Sequence, residues 1–223
     1  MKHKIYRIVC TALCCAPLLA TAQTGGKITS PQRLYEEGES LFRQKAFAAA
    51  MPPLQAFIKQ TDAEGAPVSA AGNKEEAEYM LVCAEYELRN PNSIELLREY
   101  LDTYPDTPHA NRICALIASA YFFEGKYDDA LAMFNSSRLD LLSNEERDDM
   151  TYRLATCYLK TGNVKEAAIW FETLRSTGSR YTADCTYYLA YIRYSQQRYD
   201  DALSGFLSLQ DNAKYEALVP YYI

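Results

Sequence analysis

Apolar and small residues recur at helical spacing through most of the chain, and the same pattern returns at a regular interval. The string YDDAL occurs at Tyr127–Leu131 and again at Tyr199–Leu203, 72 residues further on. A degenerate copy, GNVKEAAIWF at 162–171, lies midway between them. The interval is therefore two periods, one of 37 and one of 35 residues, and the pattern predicts a repeat protein.

Three sets of residues align across these copies. They are two small residues and one phenylalanine in each period: Ala118, Ala130 and Phe134; Ala155, Ala167 and Phe171; Ala190, Ala202 and Phe206. Small side chains allow two helices to approach closely, so each period predicts a helical hairpin. A turn glycine separates the two helices at Gly125 and Gly162, and Gln197 takes its place in the last copy.

Two weaker units precede these three. Leu34, Gly38, Ala50 and Phe57 fit the same template in the first unit. In the second unit we predict helices at Tyr79–Arg89 and Ile94–Leu101. The small and polar residues of Thr61–Asn73 predict a long loop between the two units.

The pattern resembles the tetratricopeptide repeat, a helix–turn–helix unit of about 34 residues. The resemblance implies an all-α, right-handed solenoid of about five helical hairpins plus the start of a sixth. The predicted units are 31–60, 75–106, 108–142, 144–178 and 180–212, with the sixth from 214. We expect Tyr215–Ile223 to open a further first helix and the chain to be the front part of a longer protein.

The N-terminus predicts export. Three basic residues, Lys2, Lys4 and Arg7, precede a 13-residue apolar run and the small-residue sequence Ala20-Thr21-Ala22. This is the layout of a signal peptide, which we place at 1–22, followed by a flexible segment at 23–30. The resemblance to periplasmic repeat proteins places the mature chain in the periplasm or at the outer-membrane periphery of a Gram-negative bacterium. Any membrane association is expected to be peripheral and through partners.

Charge narrows the class of partner. The predicted leader holds three of the 23 basic residues and none of the 29 acidic ones, so the mature chain carries a net charge of −9. An acidic chain without a basic block repels phosphate backbones, so we expect no nucleic-acid partner.

The residues offer little for catalysis. The mature chain has one histidine, His109, and no recognisable metal-binding, phosphate-binding or nucleophile motif, so we predict no enzyme activity, no cofactor and no metal. The acid pairs Asp128-Asp129 and Asp200-Asp201 begin second helices, where negative charge suits the helix dipole. Four cysteines follow the leader, at repeat heights too far apart for disulfides, and we predict buried thiols: Cys83, Cys114, Cys157 and Cys185.

The resemblance also indicates where a partner would bind. The family turns certain first-helix positions towards a groove, and tyrosine, with 19 copies here, is favoured in binding surfaces. The predicted groove residues are Arg112, Phe122, Asp149, Tyr152, Lys160, Asp184, Tyr187, Tyr191 and Tyr194. The last three tyrosines share one helix face, and they either line the groove or pack against a neighbouring helix.

The predicted function is that of an exported, non-catalytic scaffold that binds a protein or peptide partner in the cell envelope. The alternative is that the repeats are the N-terminal positioning arm of an enzyme whose catalytic domain lies beyond residue 223.

Overall fold

The computed structural model describes residues 30–62 and 71–223. The predicted signal peptide, most of the segment at 23–30 and most of the predicted loop at Thr61–Asn73 lie outside this range. The described residues form ten α-helices and no strand. The helices are α1 Pro31–Arg43, α2 Phe47–Thr61, α3 Ala71–Glu87, α4 Ser93–Thr103, α5 Ala110–Phe123, α6 Tyr127–Asn135, α7 Asn144–Lys160, α8 Val164–Ser176, α9 Thr182–Ser195 and α10 Tyr199–Leu207.

Consecutive helices pair into five hairpins, which confirms the predicted all-α solenoid. Each second helix also packs on the first helix of the next hairpin, and the first helices α1, α3, α5 and α7 contact one another in sequence. We call the surface that these first helices form the first-helix face. The core is a stripe of buried residues that runs between the helices along the whole array.

The aligned small residues lie where the helices of a hairpin meet. Ala118, Ala130, Ala155, Ala167 and Ala190 have no exposed surface, and Ala202 is 1% exposed. The three aligned phenylalanines are buried beside them. The repeat pattern therefore predicted the hairpin contacts correctly.

Two glycines permit an even closer approach. A Cβ added at Gly38 would lie 2.6 Å from the side chain of Leu54 in the partner helix. A Cβ at Gly205 would lie 2.8 Å from the Cβ of Ala190. Both distances are too short for van der Waals contact, so a larger residue would push the two helices of the hairpin apart.

Every hairpin turns through one residue in the left-handed region. These residues are Lys45, Arg89, Gly125, Gly162 and Gln197, with φ between 57° and 82°. Glycine adopts this conformation without steric cost, whereas the other residue types do not. Gln197 thus keeps the backbone conformation of the glycine that it replaces.

Several predicted boundaries around the second unit are wrong. Helix α3 ends at Glu87 rather than at Arg89, and α4 covers Ser93–Thr103 rather than Ile94–Leu101. Helix α3 begins at Ala71 rather than at Tyr79, and Thr61 belongs to α2, so the predicted loop is shorter at both ends. The residues at 71–78, by which α3 is longer than predicted, include alanine, lysine and glutamate, which favour a helix. Lys74 Nζ also lies 3.6 Å from Glu78 Oε1, one turn later.

The segment after α10 is not an α-helix, which corrects the prediction for Tyr215–Ile223. It forms turns and a short 3₁₀ helix at Val219–Tyr221. Pro220 lacks the N–H that an α-helix would need at this position, which explains the interruption. Its side chains nevertheless continue the repeat register: Tyr222 stacks on Phe206, with ring centroids 4.5 Å apart, as Tyr188 stacks on Phe171 at 5.0 Å.

Candidate functional site

Asp149 and Tyr152 of α7 join the fourth hairpin to the fifth. Asp149 Oδ1 accepts hydrogen bonds from Arg180 Nη2 at 2.5 Å and from the Tyr181 hydroxyl at 3.1 Å. The ring of Tyr152 stacks on that of Tyr181, with centroids 4.4 Å apart. Two of the predicted groove residues therefore contact the residues that lead into α9.

Asp184 and Tyr187 repeat this arrangement one period later. Asp184 is 7% exposed and accepts hydrogen bonds from Lys214 Nζ, at 2.5 Å, and from the Tyr215 hydroxyl. The ring of Tyr187 stacks on that of Tyr215, with centroids 4.8 Å apart. We call this set of contacts an acid–tyrosine junction. It consists of an acid and a tyrosine three residues later, which contact a basic residue and an aromatic ring of the next unit.

A third junction joins the second hairpin to the third. Glu76 Oε2 lies 2.8 Å from His109 Nε2, and the ring of Tyr79 stacks on the His109 ring at 3.6 Å. His109 here supplies both the hydrogen-bonding group and the aromatic ring. The only histidine of the predicted mature chain thus has a structural role in the array.

Arg112 of α5 connects three hairpins. In this contact the first helix supplies the basic residue and the next hairpin supplies the acid, the reverse of an acid–tyrosine junction. Its Nε donates to Glu146 Oε1 at 2.6 Å, and its Nη1 donates to the Tyr79 hydroxyl at 2.6 Å and lies 3.3 Å from Cys83 Sγ. Burial raises the pKa of Tyr79, so its hydroxyl stays protonated.

Five predicted groove residues, Arg112, Asp149, Tyr152, Asp184 and Tyr187, therefore contact neighbouring units. Their direct part in partner binding stays a prediction. Sequence reasoning missed the other halves of these junctions: Glu76, Tyr79, Arg180, Tyr181, Lys214 and Tyr215. One signal was available, because a basic residue followed by tyrosine recurs at 180–181 and 214–215.

The other four predicted residues are more open. Phe122 is half-buried between Phe123 and Tyr127, and Lys160 is exposed at the end of α7. Tyr191 and Tyr194 are 40% and 43% exposed. The structure spreads the nine residues along the array and does not bring them together in one pocket.

A cleft of about 320 Å³ opens on the first-helix face between α3, α5 and α7. Only one of the nine predicted residues, Asp149, lines it. Its exposed lining residues are Glu87, Arg89, Pro91, Phe123 and Glu124, and Arg153 lines it half-buried.

Phe123 is the apolar centre of this cleft. Its side chain is 51% exposed, and the Cζ atoms of Arg89 and Arg153 lie 4.7 Å and 4.9 Å from its ring centroid. Guanidinium groups at this distance are attracted by the face of the ring. The arrangement holds two cations beside an exposed aromatic surface.

The cleft has an ordered polar floor, in which two of its lining residues, Tyr86 and Arg153, bind Ser119 beneath the lining. Ser119 is buried, and its hydroxyl accepts hydrogen bonds from the Tyr86 hydroxyl, at 2.6 Å, and from Arg153 Nη1. Arg153 also lies 4.0 Å from Asp149. These contacts fix the Arg153 side chain beside Phe123 before any partner binds.

Within residues 30–62 and 71–223, no cluster of histidine, cysteine or acidic side chains could hold a metal ion. In the same ranges no helix combines the length and the apolar character needed to cross a membrane. Cys83, Cys157 and Cys185 are buried as predicted, and Cys114 is half-buried.

Residues 115–181 match the model of the tetratricopeptide repeat family. No curated protein sequence matches the chain.

Several solved structures share the fold. MamA from AMB-1 superposes with a TM-score of 0.60 at 18% identity, over 82% of this chain and 92% of MamA. PilF of Pseudomonas aeruginosa gives a TM-score of 0.55 at 15% identity, over 79% and 73%. A putative kinesin light chain of Podospora anserina with tetratricopeptide-like repeats gives 0.53 at 15% identity, over 85% and 99%. At these identities the similarity establishes the fold alone.

Proposed function

We propose that this chain, a tetratricopeptide repeat protein by its family match and its fold, is an exported, non-catalytic scaffold of the Gram-negative cell envelope. It binds a protein or peptide partner through the cleft between α3, α5 and α7. Tetratricopeptide folds generally bind protein partners, which supports the coarser part of the proposal. The basic residues, apolar run and Ala-Thr-Ala sequence of the N-terminus support export.

The observation that carries the proposal is the exposed ring of Phe123. Half of a large apolar side chain faces solvent inside a cleft, and a partner that covered it would gain the free energy of burying that surface. Aromatic and arginine side chains also dominate binding hot spots in protein interfaces. Phe123 with Arg89 and Arg153 combines both types.

The ordered floor adds to the expected affinity. Because Ser119, Tyr86 and Arg153 are already hydrogen bonded to each other, binding need not order them. Preorganised groups of this kind lose less conformational entropy on association.

The binding site is tested by photo-crosslinking in the native host. A photoreactive amino acid at position 123 should capture a discrete partner. In the protein without the photoreactive amino acid, Phe123→Ala should abolish co-purification of that partner. A photoreactive residue at Leu141, which is 62% exposed outside the cleft, is the matched control. Identical crosslinks from both positions would refute the cleft as the binding site.

Export is tested separately. The protein recovered from a periplasmic fraction should begin at Gln23 by intact mass. Recovery of the full chain, with Met1 present, from the cytosol would refute export and leave the binding test unaffected.

A further inference from the structure

A second groove, which shares no lining residue with the Phe123 cleft, runs between α8 and the end of α9. Its volume is about 800 Å³. It is lined by some of the residues between Lys165 and Ser176 of α8, by some of those between Leu189 and Gln196, and by Arg198 at the turn into α10. Leu189 and Ile192 are buried and form its apolar floor.

Ile169 stands at the edge of this groove with 64% of its surface exposed. Ala168 beside it is half-buried. Leu189 and Ile192 close the bottom of the groove but are only 5% and 2% exposed, so Ile169 and Ala168 supply most of its open apolar surface. A single exposed isoleucine is ordinary, but an apolar floor and an exposed apolar rim in one groove indicate an interaction surface.

The charges around the groove have a net positive sign, although the chain as a whole carries −6. The lining includes the cations Lys165, Arg193 and Arg198 and the single acid Glu172. Two of these groups are neutralised by neighbours outside the groove. Arg198 lies 2.5 Å from Asp201, and Glu172 is paired with Arg175.

Lys165 and Arg193 are different. Among the described residues, neither forms an ion pair with a carboxylate. Lys165 precedes Ile169 by four residues, so the cation and the exposed isoleucine are neighbours on one face of α8. The groove therefore presents unpaired positive charge directly beside its apolar rim.

We propose that this groove is a docking surface for an acidic amphipathic helix of a partner protein. Such a helix places apolar residues at spacings of three and four along one face, where they would pack on Ile169 and Ala168 above the floor that Leu189 and Ile192 close. Glutamate or aspartate residues that flank this face would pair with Lys165 and Arg193. The scaffold would then hold two partners at once, one in each groove.

The test uses a defined probe. A fluorescein-labelled peptide of about 18 residues, or about five helical turns, carries leucine at heptad spacing and glutamate on both flanks. Its binding to the mature protein is measured by fluorescence anisotropy. We expect Ile169→Ser, and separately the double variant Lys165→Glu, Arg193→Glu, to weaken binding at least about tenfold.

Two controls separate charge recognition from nonspecific adhesion. Lys59→Glu changes an exposed cation of α2 and should leave peptide affinity unchanged. A peptide with lysine in place of every glutamate should bind wild type more weakly and should gain affinity for the double charge variant. Wild-type affinity for the acidic peptide should also fall as salt is added, because the cations are exposed.

Four outcomes would overturn the proposal. The first is that the peptide does not bind, and the second is that variants with the wild-type melting curve bind it as tightly as wild type does. The third is that vesicles containing phosphatidylglycerol bind through Lys165 and Arg193 while peptide binding does not depend on these residues, a result that would assign the surface to a membrane. The fourth is that wild type sediments as a dimer and Ile169→Ser as a monomer, a result that would assign the surface to a second copy of the chain.

Discussion

The ring of Tyr215 lies parallel to the ring of Tyr187, with centroids 4.8 Å apart, although 28 residues of chain separate them. Tyr181 and Tyr152 form the same stack at 4.4 Å one period earlier. These pairs, with the acids Asp184 and Asp149, are the recurrent contacts by which one unit holds the next.

The first prediction concerns these stacks. A double-mutant cycle with Tyr187→Leu and Tyr215→Leu should give a coupling of about 0.5–1.5 kcal/mol in the free energy of unfolding, because stacked rings stabilise beyond their buried area. Urea unfolding followed by circular dichroism measures it. Tyr199, which is 57% exposed, is the control, and Tyr199→Leu should show no coupling to Tyr187→Leu. A coupling of zero between Tyr187 and Tyr215 would show that the stack does not hold the units together.

The second prediction concerns the left-handed turns. Gln197→Gly should raise the free energy of unfolding by about 1 kcal/mol, because glycine adopts φ of +64° without the steric cost that glutamine pays there. Gly162→Gln is the reciprocal change and should lower it by about the same amount. No atom lies within 4 Å of a Cβ built at Gly162, so backbone conformation alone decides this effect. Equal stability of all three proteins would contradict the argument.

The third prediction concerns the close approach of α9 and α10. Gly205→Ala should destabilise the chain by about 1–3 kcal/mol, because the new Cβ would lie 2.8 Å from the Cβ of Ala190. Ser204→Ala, at the exposed neighbouring position, should be neutral or slightly stabilising. Adding Ala190→Gly to Gly205→Ala should restore part of the loss, since it removes the clashing atom. Thermal melting measures all four proteins, and a failure of this rescue would mean that the clash is not the cause.

The fourth prediction concerns the buried thiols. Burial raises the pKa of Cys83 to about 11 and that of Cys157 to about 12. An unfolded thiol loses its proton near pH 8.5, so above this pH the unfolded state binds fewer protons than the folded state. The free energy of unfolding should therefore fall by up to about 1.4 kcal/mol per pH unit for each cysteine, until the folded thiol also titrates.

Cys157→Ala should remove the part of this alkaline decrease that Cys157 contributes. The measurement is the free energy of unfolding from urea titrations between pH 8 and pH 10. In the native protein at pH 8, iodoacetamide should modify the half-buried Cys114 before Cys83, Cys157 or Cys185. Rapid alkylation of Cys157 in the folded protein would contradict its burial.

The structure also divides the tyrosine triplet that the sequence placed on one helix face. Tyr187 packs against Phe206 and Tyr215, whereas Tyr191 and Tyr194 remain partly exposed. Of the two alternatives left open, packing describes the contacts of Tyr187. Groove lining stays a prediction for Tyr191 and Tyr194. The exposed Phe123, like Phe122, occupies a first-helix position that the family turns towards its groove, so the same positional reasoning indicates it as well.

The sequence by itself determined the helical hairpins, because hydrophobic period, small residues at 35–37-residue intervals and turn signals are local and repeat along the chain. It could not decide which polar residues on the first helices face a neighbour and which face solvent. That depends on where the first residues of the next unit, such as Arg180-Tyr181 and Lys214-Tyr215, come to lie. The angle between adjacent units sets those positions, and it results from the packing of whole helices rather than from any single motif. The tertiary structure therefore made Asp149 and Asp184 part of the contacts between units, and it left Phe123 and Ile169 exposed to solvent.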